Sequence, residues 1–364
     1  MSMKKFLLCT LEYPPQIGGV ANYYYHLKDA WPKQSVLDVL DNSNNKLLFK
    51  HSFWPWLKSI VAIFKAWRQE KYTLIVIGQI LPLGTSAFLL SFMPGFRYAL
   101  ILHGLDYSLA RKNPWKRMIS SLILKRAKLV IAANTYLQEL IVQDNPVLKK
   151  SSFILNPAAN MPNQNLIVAK EKLIAKHHLE NKKVIFSLGR LVRRKGFDYV
   201  LKALEDLKDE NWVYILSGQG EDETYLQSLI AKHPYRQQII FLTNLKEEEK
   251  WSYLNLCDIF VMPARNIKGD FEGFGIVYLE ANLLAKPVIA GDSGGVRDAV
   301  VHEQTGLLVN PDNIIEITQA IKLLLTNDNL AKDLGIKGQK RALEHFNWHG
   351  QAHKLAKIFD SLSL

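Results

Sequence analysis

The sequence predicts an α/β fold built as two doubly wound halves. Three observations carry that expectation. Short runs of Val, Ile and Leu without polar alternation recur along the chain, the pattern of parallel strands buried on both faces. Helix-like stretches separate these runs, as crossover connections require. Glycine-bearing turns follow several of them, at the strand ends where doubly wound sheets bind ligands. A length of 364 residues suits two domains of ordinary size.

Taken in order, Phe6–Leu11 is the first apolar run. It ends in Glu12-Tyr13-Pro14-Pro15-Gln16-Ile17-Gly18-Gly19, and a helix is expected from Val20 to Ala30. Leu74–Gly78, Tyr98–Leu102 and Leu129–Ala132 complete the strands read in the first half. The second half repeats the plan with Val184–Leu188, Trp212–Ser217, Ile239–Leu242, Ile259–Met262, Pro287–Ala290 and Gly306–Val309. The stretch Asn156–Lys183, with Pro157, Pro162 and several Asn, reads as a linker. The expected division is 1–160, 161–346, and a last helix at 347–364 that packs back toward the first domain.

Charge is unevenly placed. Residues 1–165 hold 20 Lys and Arg against 8 Asp and Glu, a net +12, whereas residues 166–364 hold 26 of each. The excess in the first half favours anionic partners such as an acidic membrane face or a phosphorylated glycan. Nucleic acid is not expected, because no helix-turn-helix, RNP or zinc pattern accompanies the charge. The apolar run from Ile80 to Pro94 is too short to span a bilayer and is broken by Pro82 and Gly84. Two distant cysteines, Cys9 and Cys257, and no visible signal peptide fit a reducing cytoplasm. Two basic, aromatic stretches are candidate membrane contacts: Phe53-Trp54-Pro55-Trp56-Leu57-Lys58 through Phe64, Trp67 and Arg68, and Arg111 through Arg126 with Trp115 at its start. The first also reads as core.

The most informative motif is Glu272-Gly-Phe-Gly-Ile-Val-Tyr-Leu-Glu280. Phe274 and Gly275 are expected to open a helix that continues through Ile276 and Val277. Its free backbone N–H groups then form an anion site, flanked by the carboxylates of Glu272 and Glu280. Ser187-Leu188-Gly189-Arg190 through Lys195-Gly196 also follows a strand. There Arg190 offers a bidentate fork and Lys195 a point charge for phosphate, while Arg193 and Arg194 read as a solvated basic turn. Gly218-Gln219-Gly220 closes another strand and would let a ligand approach the backbone. Gly18-Gly19 and His103-Gly104-Leu105-Asp106 sit at strand ends of the first half. No Asp-x-Asp pair occurs, so no metal and no other cofactor is expected.

In this order and spacing the motifs resemble those of the family-4 retaining glycosyltransferases, across nearly the whole chain. The resemblance implies the GT-B fold, two Rossmann-like domains facing across a deep cleft. It also implies metal-free transfer of a hexose from a nucleotide sugar with retained anomeric configuration. Arg190 and Lys195 would hold the diphosphate, Glu280 the ribose, and Glu272 with the backbone of Phe274, Gly275, Ile276 and Val277 the donor sugar. Gly218 and Leu245 would complete the donor site. His103 would lie beside the reacting carbon, with Gly18, Gly19 and Asp106 toward acceptor or phosphate. The segments around Met262, Glu272 and Pro287 look most like the GDP-mannose-dependent phosphatidylinositol mannosyltransferase-like branch. The expected partners are therefore a GDP- or UDP-sugar donor, a lipid-linked or surface-polysaccharide acceptor, and the anionic inner face of a membrane, bound peripherally from the cytoplasm. A UDP-sugar transferase, a nucleotide-sugar epimerase, a glycogen synthase-like enzyme and a non-catalytic sugar-binding protein are the competing readings. Asn156-Pro157-Ala158-Ala159-Asn160 and Thr243-Asn244 depart from the family pattern, at the interdomain turn and near the base pocket.

Overall fold

The computed structural model describes residues 3–16, 18–49, 56–162, 167–208, 211–243 and 245–362. The chain divides into two units: Met1–Ala158 with Trp348–Leu364, and Ala159–Asn347. Each holds one six-stranded parallel sheet with helices between its strands.

In the first unit the strands are β1 (Lys5–Cys9), β2 (Val36–Leu40), β3 (Leu74–Ile77), β4 (Tyr98–Leu102), β5 (Leu129–Ala132) and β6 (Ser152–Ile154), in the spatial order β2-β1-β3-β4-β5-β6. The helices are α1 (Gly19–Asp29), α2 (Leu57–Glu70), α3 (Leu83–Leu90), α4 (Leu105–Arg111), α5 (Pro114–Arg126) and α6 (Thr135–Asp144). Both faces of this sheet are buried. Phe6, Leu8, Leu74, Val76, Ala99 and Ile101 pack on one side, and Leu7, Cys9, Ile75, Ile77, Leu100 and Leu102 on the other. Two covered faces are why these strands read as unbroken apolar runs. The edge strands β2 and β6 escaped the sequence reading. Asp38 interrupts β2, and β6 is three residues long with Phe153 exposed. An edge strand has a neighbour on one side only and carries less of the apolar signal.

The second unit contains α7 (Lys170–His177), β7 (Lys183–Leu188), α8 (Phe197–Leu204), β8 (Trp212–Ser217), α9 (Glu223–Lys232), β9 (Ile239–Leu242), α10 (Glu247–Leu256), β10 (Ile259–Met262), α11 (Ile276–Leu283), β11 (Val288–Gly291), α12 (Val296–Ala299), β12 (Leu307–Val309), α13 (Ile314–Thr326) and α14 (Asp328–His345). Its strand order is β12-β11-β10-β7-β8-β9. The stretch read as a linker therefore includes a helix, α7, whose Leu173 joins the core of this unit.

The final helix, α15 (Trp348–Ser361), belongs to the first unit. Trp348 meets the Tyr23 ring edge-on at 5.2 Å and stacks on His26 at 5.6 Å; Phe359 lies 5.1 Å from Phe6. Each such buried aromatic contributes about 1.5–3 kcal/mol by removal of apolar surface from water. Phe64 and Trp67 of the first basic stretch also pack against the core, with Trp67 5.3 Å from Phe96. Phe53, Trp54 and Pro55, like Asn244, lie outside the described residues. Among the described residues no helix is long and apolar enough to cross a membrane.

Gly218 and Gly220 are required by the packing of two loops. A Cβ on Gly218 would run into the Gly189 carbonyl, and one on Gly220 into that of Leu191. The loops after β7 and β8 cross here and bond as a pair, Gly189 N–H to Ser217 O at 3.1 Å and Leu191 N–H to Gln219 O at 2.8 Å. The glycines let one backbone lie on another. Replacing Gly218 by Ala should lower stability by about 1–3 kcal/mol through overpacking, read as a reduced urea midpoint, whereas Gln219→Ala, whose side chain makes no such approach, should leave it nearly unchanged.

Candidate functional site

In the second unit the strand order reverses between β7 and β10, the position where a doubly wound sheet leaves a crevice outside its carboxyl ends. The loops after these two strands meet through Glu272. Its Oε2 accepts from Lys195 Nζ and from Arg194 Nη1, each at 2.6 Å, and Arg194 Nε lies 3.3 Å from Asp270. Lys195 and Glu272 are both buried. Burial pushes the Glu272 pKa up, but Lys195 and Arg194 outweigh it and hold the carboxyl below its ordinary value. Burial draws Lys195 below the usual lysine value despite Glu272. A second tie runs beneath: Arg265 bonds Asp198 at 2.8 Å and the Arg193 carbonyl at 2.6 Å, with its guanidinium 4.1 Å from the Tyr199 ring centre. Arg193 itself stacks 3.3 Å over Tyr225 and pairs with Asp222 at 3.1 Å.

Arg194 is thus no solvated turn residue, contrary to the sequence reading. The residue left open is Arg190, which is exposed and forms no ion pair among the described residues, and whose charge is felt by Lys195. It is a cation waiting beside a cationic pair. Across the crevice Gly275 precedes α11 with φ 79°, and a Cβ there would strike the Tyr278 ring, so the tight entry requires glycine. The entry has no side-chain cap, and the amides of Ile276 and Val277 donate to no described residue. Four of the expected donor elements therefore lie on the two loops that Glu272 ties together: Arg190, Lys195, Glu272 and the start of α11. The Phe274 side chain points away into the core, 5.6 Å from Phe346, so only its backbone is placed to bind. Glu280 pairs with Lys250 of α10 at 2.8 Å, both side chains mostly buried. Leu245 packs on the core margin beside β9.

In the first unit Gly18 stands at the entry to α1, and its carbonyl accepts from Asn22 N–H at 3.0 Å. His103 follows β4 on the same carboxyl edge. Asp106 Oδ1 accepts from the His103 and Gly104 amides at 3.3 and 3.0 Å, while its Oδ2 is buried with no hydrogen-bond partner among the described residues. Burial raises Asp106 to about 6 against the pull of the Gly104, Tyr107, His103 and Ile80 amides. Burial lowers His103 to about 4. The Nε2 of His103 meets the Tyr24 hydroxyl at 2.9 Å.

The second basic stretch, Arg111–Arg126, ends α4 and forms α5, and these two helices expose an apolar stripe. Leu105 and Leu109 lie one turn apart on α4, and Trp115, Met118 and Leu122 follow one side of α5, with Trp115 72% exposed. Lys112, Lys116 and Lys125 around them make no ion pair among the described residues, whereas Arg111 and Arg117 are held by Asp144 at 2.6 and 3.1 Å. A cavity of about 430 Å³ opens between α4, α5 and α6 beside these arginines.

Sequence reading missed Arg194, Asp270, Lys250 and Tyr24. Asp270 stands two residues before Glu272 with an arginine available, a pairing that charge alone could have suggested. Lys250 and Tyr24 give no local signal, since their partners are 30 and 79 positions away.

Residues 169–341 match the family model described as Glycosyl transferases group 1. The GDP-mannose-dependent alpha-(1-6)-phosphatidylinositol monomannoside mannosyltransferase of Mycolicibacterium smegmatis is 32% identical over 195 residues, covering 52% of this chain and 51% of that protein. The chain spans about half the length of the curated mannosyltransferases it matches. An uncharacterized glycosyltransferase of Methanocaldococcus jannaschii is 25% identical over the whole of both chains. Among solved structures, Anabaena HepE in complex with UDP superposes with a TM-score of 0.80 at 18% identity, covering 99% of this chain and 100% of that one. The fold is that of the GT-B glycosyltransferases.

The Glu272 pair has a pH signature. A carboxyl whose folded pKa is depressed contributes stability that is present above its ordinary value of 4.5 and lost as pH falls through the folded value. The stability gap between wild type and Glu272→Gln should be constant from pH 6 to 8, where breaking a buried pair costs about 3–5 kcal/mol, and should shrink in acid. Urea unfolding at pH 3.5, 5 and 7 reads it; a gap independent of pH would remove the ion pair as its source.

Proposed function

We propose that this chain, whose residues 169–341 form a glycosyl transferases group 1 domain, transfers a hexose from a nucleotide sugar to a lipid-linked or surface-polysaccharide acceptor with retained anomeric configuration. The observation that carries this reading is the crevice of the second unit. Arg190, which has no carboxylate partner among the described residues, Lys195 shared with Glu272, and the uncapped start of α11 lie on the two loops that flank it. A diphosphate brings negative charge that such a set receives: a forked guanidinium, a point charge and free amides. The same groups stabilise the diphosphate as it leaves, when its charge is greatest, which is where binding accelerates a reaction. Lys195, Arg190 and the helix start supply the positive charge a divalent ion would otherwise provide, so transfer is expected to proceed without metal. Glu272, kept ionised by its two cations, accepts hydrogen bonds from donor-sugar hydroxyls, and Glu280 with Lys250 lies further along α11, on the ribose side. His103 with its neutral ring serves the reacting end. The leaving phosphate assists deprotonation of the acceptor in a front-face reaction.

Mannose from GDP-mannose is the preferred donor, supported by the name of the Mycolicibacterium relative. A UDP-sugar is the alternative, favoured by the UDP bound in the Anabaena protein. The exposed stripe Leu105, Leu109, Trp115, Met118 and Leu122, ringed by Lys112, Lys116 and Lys125, fits the anionic cytoplasmic face of a membrane. Apolar side chains enter the interface, and each basic residue near it adds about 1 kcal/mol.

Three measurements test the reading. Calorimetry with GDP and UDP should show Arg190→Ala binding the preferred nucleotide more weakly by about 1.5–3 kcal/mol, and EDTA should leave transfer intact; loss of activity with chelator and recovery with magnesium or manganese would overturn the metal-free assignment. For the membrane, wild type should sediment with anionic vesicles at low salt and release at high salt. Reversing the charges of Lys112, Lys116 and Lys125 should abolish sedimentation. Equal sedimentation of both proteins would detach this patch from the membrane.

A further inference from the structure

His103 is held by α1, the first helix of the first unit. Its ring meets Tyr23 and Tyr24 of α1 edge-on, with centroids 4.8 and 5.2 Å apart. The Tyr24 hydroxyl lies 2.9 Å from His103 Nε2 and 2.8 Å from the carbonyl of Gly78, at the end of the neighbouring strand β3. Gly78 makes this seat possible, since a Cβ there would stand 2.7 Å from the hydroxyl. Tyr24 is fully buried, and that burial raises its pKa well above the ordinary tyrosine value, so it remains a phenol with one proton to give.

The direction of both bonds follows. A carbonyl oxygen only accepts, so Tyr24 donates to Gly78. The remaining bond then has to be donated by the histidine, which places a proton on Nε2. With the ring neutral, as burial keeps it above about pH 4, Nδ1 holds a lone pair. Nδ1 bonds to no described residue and is not among the fully buried unpartnered atoms, so it is open to a ligand.

We infer that Tyr24 is a positioning residue: by donating to Gly78 it commits His103 to the Nε2–H tautomer and presents Nδ1 as a hydrogen-bond acceptor for a carbohydrate hydroxyl. The tautomer stands on the hydrogen-bond geometry of a buried phenol and a neutral ring; only the carbohydrate ligand rests on the glycosyltransferase reading. A histidine that accepts selects a hydroxyl able to donate along the Nδ1 direction, so Tyr24 sets which hydroxyl orientation is bound.

Long-range proton–nitrogen correlation spectra of protein carrying ¹⁵N-histidine test this, with the His103 signals assigned by their loss in His103→Gln. The wild-type ring should show a pyrrole-type Nε2 and a pyridine-type Nδ1 from pH 6 to 8. Tyr24→Phe should shift it toward a mixture of tautomers and lower kcat by about 3- to 10-fold, the worth of one neutral hydrogen bond, with nucleotide affinity unchanged. A side-chain amide distinguishes the two nitrogens: Asn at 103 sets its oxygen near the Nδ1 position, whereas Gln reaches the Nε2 position. His103→Asn should therefore retain more turnover than His103→Gln. A wild-type ring protonated on Nδ1, or a Tyr24→Phe variant with unchanged spectrum and turnover, would overturn the proposal. Should no nucleotide sugar be turned over by wild type, the glycosyltransferase reading fails while the spectra still decide the tautomer.

Discussion

The ion pairs of Glu272 with Lys195 and Arg194 are the constraint on which the candidate site depends. They join the loop after β7 to the loop after β10 at the one place in the sheet where neighbouring strands send their connections in opposite directions. Two loops diverging from a switch point have no hydrogen-bonded ladder to hold them. A carboxylate with two cations, all largely withdrawn from water, supplies the tie. It also fixes protonation: the cations keep Glu272 charged despite its burial, and the carboxylate partly offsets the cost of burying Lys195.

Around this tie the backbone is arranged so that charge remains to be satisfied. Arg193, Arg194 and Arg265 are committed to Asp222, Glu272 and Asp198, and Arg190 is not committed among the described residues. Gly275 turns the chain into α11 without a capping side chain, leaving amides directed at the same crevice. The glycines after β8 act one step back, letting two loops lie in contact so that Arg190 is carried on a braced turn. The positive surplus is local: the second unit as a whole is close to electrically balanced.

The first unit solves a different problem. Part of its charge excess is exposed on α5 and just before it, at Lys112, Lys116 and Lys125, while its carboxyl edge carries a neutral histidine and a carboxyl raised to about 6. Burial governs the titration there, with no cation among the described residues to oppose it, and hydrogen-bond direction in the Gly78–Tyr24–His103 chain governs which nitrogen is available. The C-terminal helix returns to this unit, and through Trp348 against Tyr23 it braces the helix that holds the histidine.

Strand runs such as Val184–Leu188 and Ile259–Met262, the glycine entry at Gly275 and the position of His103 after β4 were legible in the sequence, because each is a local pattern: unbroken apolar residues, a backbone requirement, a strand end. The edge strands β2 and β6 were weak for the converse reason, having one open side. What tertiary structure alone decided was partnership. Arg193, Arg194 and Lys195 are consecutive and alike in sequence, yet one stacks on Tyr225, one pairs with Asp270 and Glu272, and one is buried against Glu272. Glu280 likewise takes its lysine from α10, and Tyr24 reaches a histidine 79 positions away. The sequence by itself determined which segments become strands and which turns bend at glycine, since those depend on neighbours along the chain. Which charge meets which, and which ring nitrogen carries the proton, depend on groups brought together across the sheet, and only folding brings them within hydrogen-bond reach.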